Sequence, residues 1–193
     1  IDLAGNYKEV TVDFSIKITP DGQLEVDYLT DGAPNGFLRE TGLSFHLADA
    51  IQQLDWKRKG YWNYYPEKAF AALYISKQAA YGKEPLQPWG DDTHNYYYWA
   101  DAGANCRYPL TQTAKGMKEN IYYYTLSTAS PSIHQLSVLS TDASVACRIN
   151  KQPDDQLILY VNNCWDYPEI AWGNFCKTLE ALPCFGKIKM RLK

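Results

Sequence analysis

Residues 7–28 read YKEVTVDFSIKITPDGQLEVDY, and this stretch decides the fold class. Apolar residues recur near every second position on both sides of a central turn: Tyr7, Val10, Val12, Phe14, Ile16 and Ile18 precede it, and Leu24, Val26 and Tyr28 follow it. This alternation is typical of strands with one buried face. The turn, TPDG at 19–22, has its proline early and its glycine late, as tight turns require. The stretch therefore predicts a β-hairpin.

Outward from this hairpin, the rest of the chain shows more short strand patterns separated by loops. We expect strands at 43–47, 54–56, 70–75, 96–99, 121–126, 136–138, 157–161 and 188–192, and long loops at 60–68, 81–95 and 162–174. No helical pattern alternates with the strands, which argues against a parallel α/β fold. The sequence predicts an all-β antiparallel sandwich, with residues 1–193 in a single domain.

The composition of the chain argues against some classes of partner and favours another. Charged residues make up 21% of the chain and the formal net charge is −3, which argues against a nucleic-acid partner. No apolar run approaches the ~20 residues of a membrane-spanning helix, so no membrane partner is expected. Aromatic residues make up 15%, including 16 Tyr and 6 Trp. Their flat apolar faces suit the C–H patches of sugars, although β-sandwiches also use Tyr at half-buried strand positions.

The five cysteines leave the redox state open. Cys106, Cys147, Cys164, Cys176 and Cys184 form no C-x-x-C pair, which argues against a zinc or thioredoxin-type site. Because the count is odd, at least one thiol stays free, and a buried free cysteine behaves as a small hydrophobe. We expect no metal or other cofactor. A periplasmic or extracellular location is favoured over a cytoplasmic one, and the start at Ile1 indicates a processed or excised chain.

Three stretches, in order, resemble the C-terminal domain of glycoside hydrolase family 2 β-galactosidases. Residues 21–28, DGQLEVDY, resemble its early hairpin. Residues 38–47, LRETGLSFHL, are similar to its L-P-R-I-G-L-x-F-x-L strand. The spacing from Trp56 through Gly60 to YPEK at 65–68 is similar to its W-x-x-x-G-P-x-E-N-Y-P-D-R. The Pro, Glu and Asn of that last motif are replaced here, which leaves the sugar specificity open.

The resemblance implies a super-sandwich similar to the galactose mutarotase fold. In this family the domain packs with the sandwich domains and the (β/α)8 barrel of the same parent chain, and the barrel carries two catalytic glutamates. A barrel needs at least ~200 residues, so this chain cannot hold one beside its own sandwich. The resemblance therefore implies an accessory C-terminal domain of a β-galactosidase-like hydrolase in carbohydrate catabolism. Its ligand would be a β-galactoside-type glycan, and it would carry no catalytic residue.

The same resemblance also indicates two candidate substrate-binding residues. Residues 162–168, NNCWDYP, look like the family's D-D-S-W-S-P loop. The resemblance implies that Trp165 reaches the barrel and forms a stacking wall for the sugar, with Asp166 beside it in the substrate-binding loop. A Trp face can position a substrate without taking part in proton transfer. The alternative is that Trp165 anchors its own loop to the sandwich.

Two other loops supply the remaining substrate-binding candidates. Trp62 lies in an aromatic loop that could be a platform for sugar or for the barrel, or a plug at the sandwich edge. Trp89, Asp91, Asp92 and His94 lie within WGDDTHN at 89–95. Their carboxylates could hydrogen-bond sugar hydroxyls or bind Ca²⁺, and a solvated turn also explains them.

Two alternatives to the hydrolase domain stay open. A stand-alone carbohydrate-binding module needs only exposed loop aromatics. A mutarotase-like aldose epimerase needs a general acid and base, typically Glu and His. The histidines are His46, His94 and His134, and none lies in a mutarotase-like motif. The sequence contains no G-x-S-x-G, no phosphate-binding loop and no H-E-x-x-H, so those chemistries are set aside.

Overall fold

A computed structural model describes residues 1–7, 10–32, 40–47, 51–60, 79–85, 118–128, 135–151, 156–165 and 184–193. These residues form eleven strands: β1 (Asp2–Tyr7), β2 (Val10–Ile18), β3 (Gln23–Gly32), β4 (Glu40–Leu47), β5 (Ile51–Lys59), β6 (Ala79–Pro85), β7 (Ile121–Thr128), β8 (Gln135–Leu139), β9 (Ala146–Lys151), β10 (Leu157–Trp165) and β11 (Cys184–Leu192). The described part contains no helix, and every strand pairing in it is antiparallel. The predicted all-β antiparallel class is confirmed.

The strands form two sheets around one core. The larger sheet has the order β1-β2-β3-β11-β8-β7-β5-β6, and the smaller has β4-β10-β9. β10 of the smaller sheet lies against β11 of the larger, and β9 lies against β7. Buried side chains from both sheets make a single apolar cluster, which includes Leu54, Leu126 and Ile188 from one sheet and Ile149 and Leu159 from the other. This arrangement is a β-sandwich.

The first hairpin forms at the predicted turn. The backbone N–H of Gly22 donates to the carbonyl of Thr19 at 3.0 Å, and Gly22 has a φ of 79°. A β-carbon there would also meet the carbonyl oxygen of Leu192 at 2.6 Å. Glycine is therefore required at this position by both the backbone conformation and the close approach of β11's end.

The alternation of β3 and β11 determines which face meets the core. Val26 and Tyr28 of β3 point inward with Ile188 and Met190 of β11, while Lys189, between the two β11 residues, is exposed. The Tyr28 ring packs over Gly186, its cross-strand partner, and its hydroxyl donates to Asn163 Oδ1 of the smaller sheet at 2.9 Å. Burial raises the pKa of this hydroxyl, so it remains a donor. Tyr28 thus ties the two sheets together.

Several predicted boundaries are wrong. The first hairpin carries an additional edge strand, β1, before β2. The predicted loop at 81–95 begins within a strand, because β6 extends to Pro85 and pairs along β5. Strand β9 was not predicted, and β10 continues through residues 162–165, which we expected to begin a loop. The strands expected at 70–75 and 96–99 lie outside the described residues.

Candidate functional site

Trp165 is the last residue of β10, and it faces Glu40, the first residue of β4, in the strand register. The register shifts between Asn162 and Cys164, as at a β-bulge, and such bulges change the direction in which following side chains point. Trp165 is half-buried. The expectation that Trp165 lies on a loop is therefore wrong, since strand pairing holds its backbone. Its role in sugar binding stays a prediction.

Four polar or aromatic side chains gather beside this strand end, and we call them the Glu40 cluster: Glu40, Arg148, Tyr160 and Asn162. Arg148 Nε donates to Glu40 Oε2 at 2.8 Å, and a second guanidinium nitrogen donates to Oε1. Asn162 Nδ2 also donates to Oε2, at 2.8 Å. The Arg148 guanidinium carbon lies 3.6 Å from the centroid of the Tyr160 ring. The carboxylate is thus held from two strands at once.

Strand register explains why the Glu40 cluster forms. Arg148 of β9 lies directly opposite Tyr160 of β10, so the planar guanidinium can stack on the ring and still reach across to β4. The Arg148 side chain is 12% exposed and that of Glu40 is 23% exposed. Bidentate Arg–carboxylate pairs in such partly buried sites have a fixed geometry. No local pattern in the sequence predicts this pairing, because Glu40 and Arg148 are 108 positions apart and share no motif.

A second candidate region lies on the outer face of the larger sheet. Leu29 of β3 and Phe185 of β11 are cross-strand partners on this face, and Phe185 is 67% exposed. An open groove of about 470 Å³ lies beside them, lined also by Asp2, Asp13 and Asp27. We call these five residues the outer groove. An exposed ring next to carboxylates can stack on a sugar and accept hydrogen bonds from its hydroxyls.

A third feature is a pair of buried cations around one aromatic ring. The Arg58 guanidinium carbon lies 5.2 Å and the Lys118 Nζ 5.1 Å from the centroid of the Trp56 ring. Both cationic side chains are almost fully buried. Cation–π attraction is strongest where water is excluded, so Trp56 stabilises both charges at this position. This arrangement belongs to the core rather than to a surface site.

The other predicted site residues cannot be placed in this geometry. Asp166, Trp62, Trp89, Asp91, Asp92 and His94 lie outside the described residues and stay predictions. Of the three histidines, His46 is described; its Nδ1 lies 2.9 Å from Gln156 Oε1. Among the described residues, no group of three His, Cys, Asp or Glu side chains could hold a metal ion.

No helix long and apolar enough to cross a membrane occurs in the described part of the chain. Comparison of the sequence with protein-family models and with curated proteins gave no match.

Proposed function

We propose that this β-sandwich is an accessory, sugar-binding domain of a β-galactosidase-like glycoside hydrolase, whose catalytic carboxylates lie on a separate barrel of the same parent chain. The observation that carries the proposal is the position of Trp165 at a paired strand end beside the Glu40 cluster. The three stretches that resemble the family support it. Residues 21–28 lie on the β2–β3 hairpin, residues 40–47 of the second stretch form β4, and the third stretch begins on β5 at Trp56.

The chemistry of the site suits binding rather than proton transfer. The Glu40 carboxylate already accepts three hydrogen bonds from Arg148 and Asn162, so it orients these groups instead of acting as a free base. A half-buried Trp next to it offers a flat face whose backbone is fixed by strand pairing. Sites built on paired strands hold their geometry better than sites on loops. The domain would therefore supply one wall of a sugar site that the barrel completes.

The decisive variant is Trp165→Ala in the intact parent enzyme. Loss of the stacking face should weaken substrate binding by ~1–3 kcal/mol, by analogy with nucleic-acid bases stacked on aromatic side chains. The Michaelis constant should rise accordingly, with a smaller effect on the turnover number. Trp165→Phe, which keeps a flat ring, should retain part of the affinity. Ile18→Ala, which removes an exposed apolar side chain of the larger sheet outside the outer groove, serves as the control. An unchanged Michaelis constant in Trp165→Ala would contradict the proposal.

The size of the native protein tests the parent chain directly. An antibody raised against this domain should detect a polypeptide several times heavier than 22.0 kDa in the source cells. A band at the mass of this chain alone would reject the accessory-domain reading.

A stand-alone carbohydrate-binding module is the second candidate, and the outer groove favours it. Phe185 is exposed beside three carboxylates without any contribution from another domain. If this reading holds, the isolated chain should bind β-galactoside oligosaccharides in calorimetric titration, and Phe185→Ala should abolish the binding. Binding that survives Phe185→Ala but disappears in Trp165→Ala would assign the sugar to the other face.

A further inference from the structure

Two cysteine thiols meet at the contact between the two sheets. Cys164 lies near the end of β10 in the smaller sheet, and Cys184 begins β11 in the larger sheet. Their sulfur atoms are 3.0 Å apart, although the residues are 20 positions apart in the chain. Cys184 is buried and Cys164 half-buried.

Both cysteines are carried by interior strands, which fixes where their side chains can go. β10 lies between β4 and β9, and Cys164 faces Thr41 of β4. β11 lies between β3 and β8, and Cys184 faces Thr30 of β3, whose hydroxyl donates to the Cys184 carbonyl at 3.2 Å. A disulfide needs its sulfurs at about 2.05 Å, so a movement of about 1 Å would close the bond. The two ladders therefore bring the thiols together before any bond exists.

We propose that Cys164 and Cys184 are an oxidation site, at which a small-molecule disulfide such as glutathione disulfide converts the two thiols into a cross-link between the sheets. This inference does not depend on the proposed function, because it rests only on the two sulfur positions and the strands that carry them.

The exchange proceeds in two balanced steps. The Cys164 thiol loses its proton, and its sulfur attacks glutathione disulfide; a Cys164–glutathione disulfide forms and one glutathione thiolate leaves. Cys184 then loses its proton and attacks the Cys164 sulfur, which expels the second glutathione thiolate. The two cysteines are oxidised by two electrons, one glutathione disulfide is reduced, and the two released protons end on the two glutathione thiols.

The order of attack follows from the surroundings of the sulfurs. Burial raises the pKa of the Cys184 thiol to about 12, with the neighbouring Cys164 adding to the rise. The thiolate is the attacking species, so Cys184 is a slow first nucleophile. The more exposed Cys164 reacts first, and Cys184 resolves the mixed disulfide because its sulfur is already adjacent.

The direct test maps the bond in the unaltered protein. The folded protein is incubated with glutathione disulfide, blocked with iodoacetamide, and digested with proteases that cut after Glu169 and after Lys177. These cuts separate Cys164, Cys176 and Cys184 into three peptides. We expect a linked pair of peptides carrying Cys164 and Cys184. Free thiols at both positions, a lasting glutathione adduct on Cys164, or a bond from either residue to Cys176 would overturn the proposal.

Stability gives an independent readout. The cross-link restricts the unfolded chain, so the oxidised protein should melt about 6–12 °C above the reduced one. Cys164→Ser should abolish this difference, whereas Cys176→Ser and Cys106→Ser should keep it. If Cys164→Ser fails to fold, the peptide map of the unaltered protein still decides the question. A redox-dependent melting shift that persists in Cys164→Ser would contradict the assignment.

Discussion

At the scale of single residues, the close packing of Tyr28 on Gly186 joins the two halves of the sandwich. A β-carbon at residue 186 would lie 2.1 Å from the Tyr28 ring carbon Cζ, so only glycine leaves room for the ring. In return the ring covers the glycine, which otherwise weakens a strand interior. The hydroxyl at the end of the same ring reaches Asn163 of the other sheet. The Tyr28 side chain therefore both covers Gly186 and hydrogen-bonds to the smaller sheet.

Gly186→Ala tests this packing. The added methyl group must displace the Tyr28 ring, and overpacking of this kind costs about 1–3 kcal/mol. Urea unfolding should show that loss in the free energy of unfolding. Gly5→Ala is the matched control in the edge strand, because a β-carbon there meets nothing within 4 Å. Equal stability of the two variants would show that the ring moves aside without cost.

The Asp21 carboxylate gives the first turn a pH dependence. Hydrogen bonds from Thr19 and then from Gln23 lower the pKa of Asp21 below its ordinary value of 3.8. A lowered folded-state pKa stabilises the protein above the unfolded-state pKa, and the contribution disappears as the pH falls through the folded-state value. Asp21→Asn should therefore be less stable than the unaltered protein at neutral pH and equal to it well below pH 3.8. Chemical unfolding across this pH range measures the difference, and a constant difference at all pH values would contradict it.

At the scale of strands, register decides which distant residues meet. Arg148 on β9, Asn162 on β10 and Glu40 on β4 meet because β10 is the central strand of the smaller sheet and pairs with both neighbours. The hydrogen bonds from Arg148 and Asn162 to Glu40 link the three strands at the end that carries Trp165. A slip of one residue would move these side chains to the opposite face. The Glu40 cluster thus fixes the geometry of the candidate sugar site.

Glu40→Ala should reveal how much the Glu40 cluster contributes to the free energy of unfolding. It removes the carboxylate that accepts three hydrogen bonds from Arg148 and Asn162, where the Arg148 side chain is 12% exposed, and the expected loss in the free energy of unfolding is about 1–3 kcal/mol. Asp27→Ala breaks the comparison pair on the larger sheet, where Lys187 and Asp27 are 46% and 38% exposed. That change should cost less than ~1 kcal/mol, since exposed pairs contribute little. A double-mutant cycle of Glu40→Ala with Arg148→Met isolates the pair, and a coupling near zero would contradict the prediction.

At the scale of the whole molecule, the two sheets depend on one core. Leu159 on β10 and Ile188 on β11 belong to the same buried cluster, although they lie in different sheets. In the described part of the chain, each sheet buries apolar side chains against the other. We expect the described sandwich to unfold as one cooperative unit.

Leu159→Ala should lower the stability of both sheets together. Removing this buried side chain costs about 2–5 kcal/mol, because a cavity remains between the layers. Circular dichroism of the strands and tryptophan fluorescence should shift to the same lower midpoint. Leu29→Ala, on the exposed outer face, should leave the midpoint nearly unchanged. Separate midpoints for the two probes would contradict the single core.

The sequence by itself determined the class of fold and the position of the first turn. Period-2 alternation and the TPDG turn depend on local geometry, so residues 10–28 were predictable from their own pattern. Strands β6 and β9 were not predictable in this way. They form because their backbones pair with β5 and β10, and the identity of a pairing partner is not visible in the local sequence. Trp165 was selected from its resemblance to a family motif, but its strand position depends on pairing with Glu40.

Only the tertiary structure decided which side chains share a site. Glu40 and Asn162 are 122 positions apart, and Cys164 and Cys184 are 20 apart, yet each pair is in contact. Strand order and register create these contacts, and both are set by burial of the two apolar faces against each other. Local alternation specifies that a residue points inward or outward. Which distant residue it meets there is a property of the assembled sandwich.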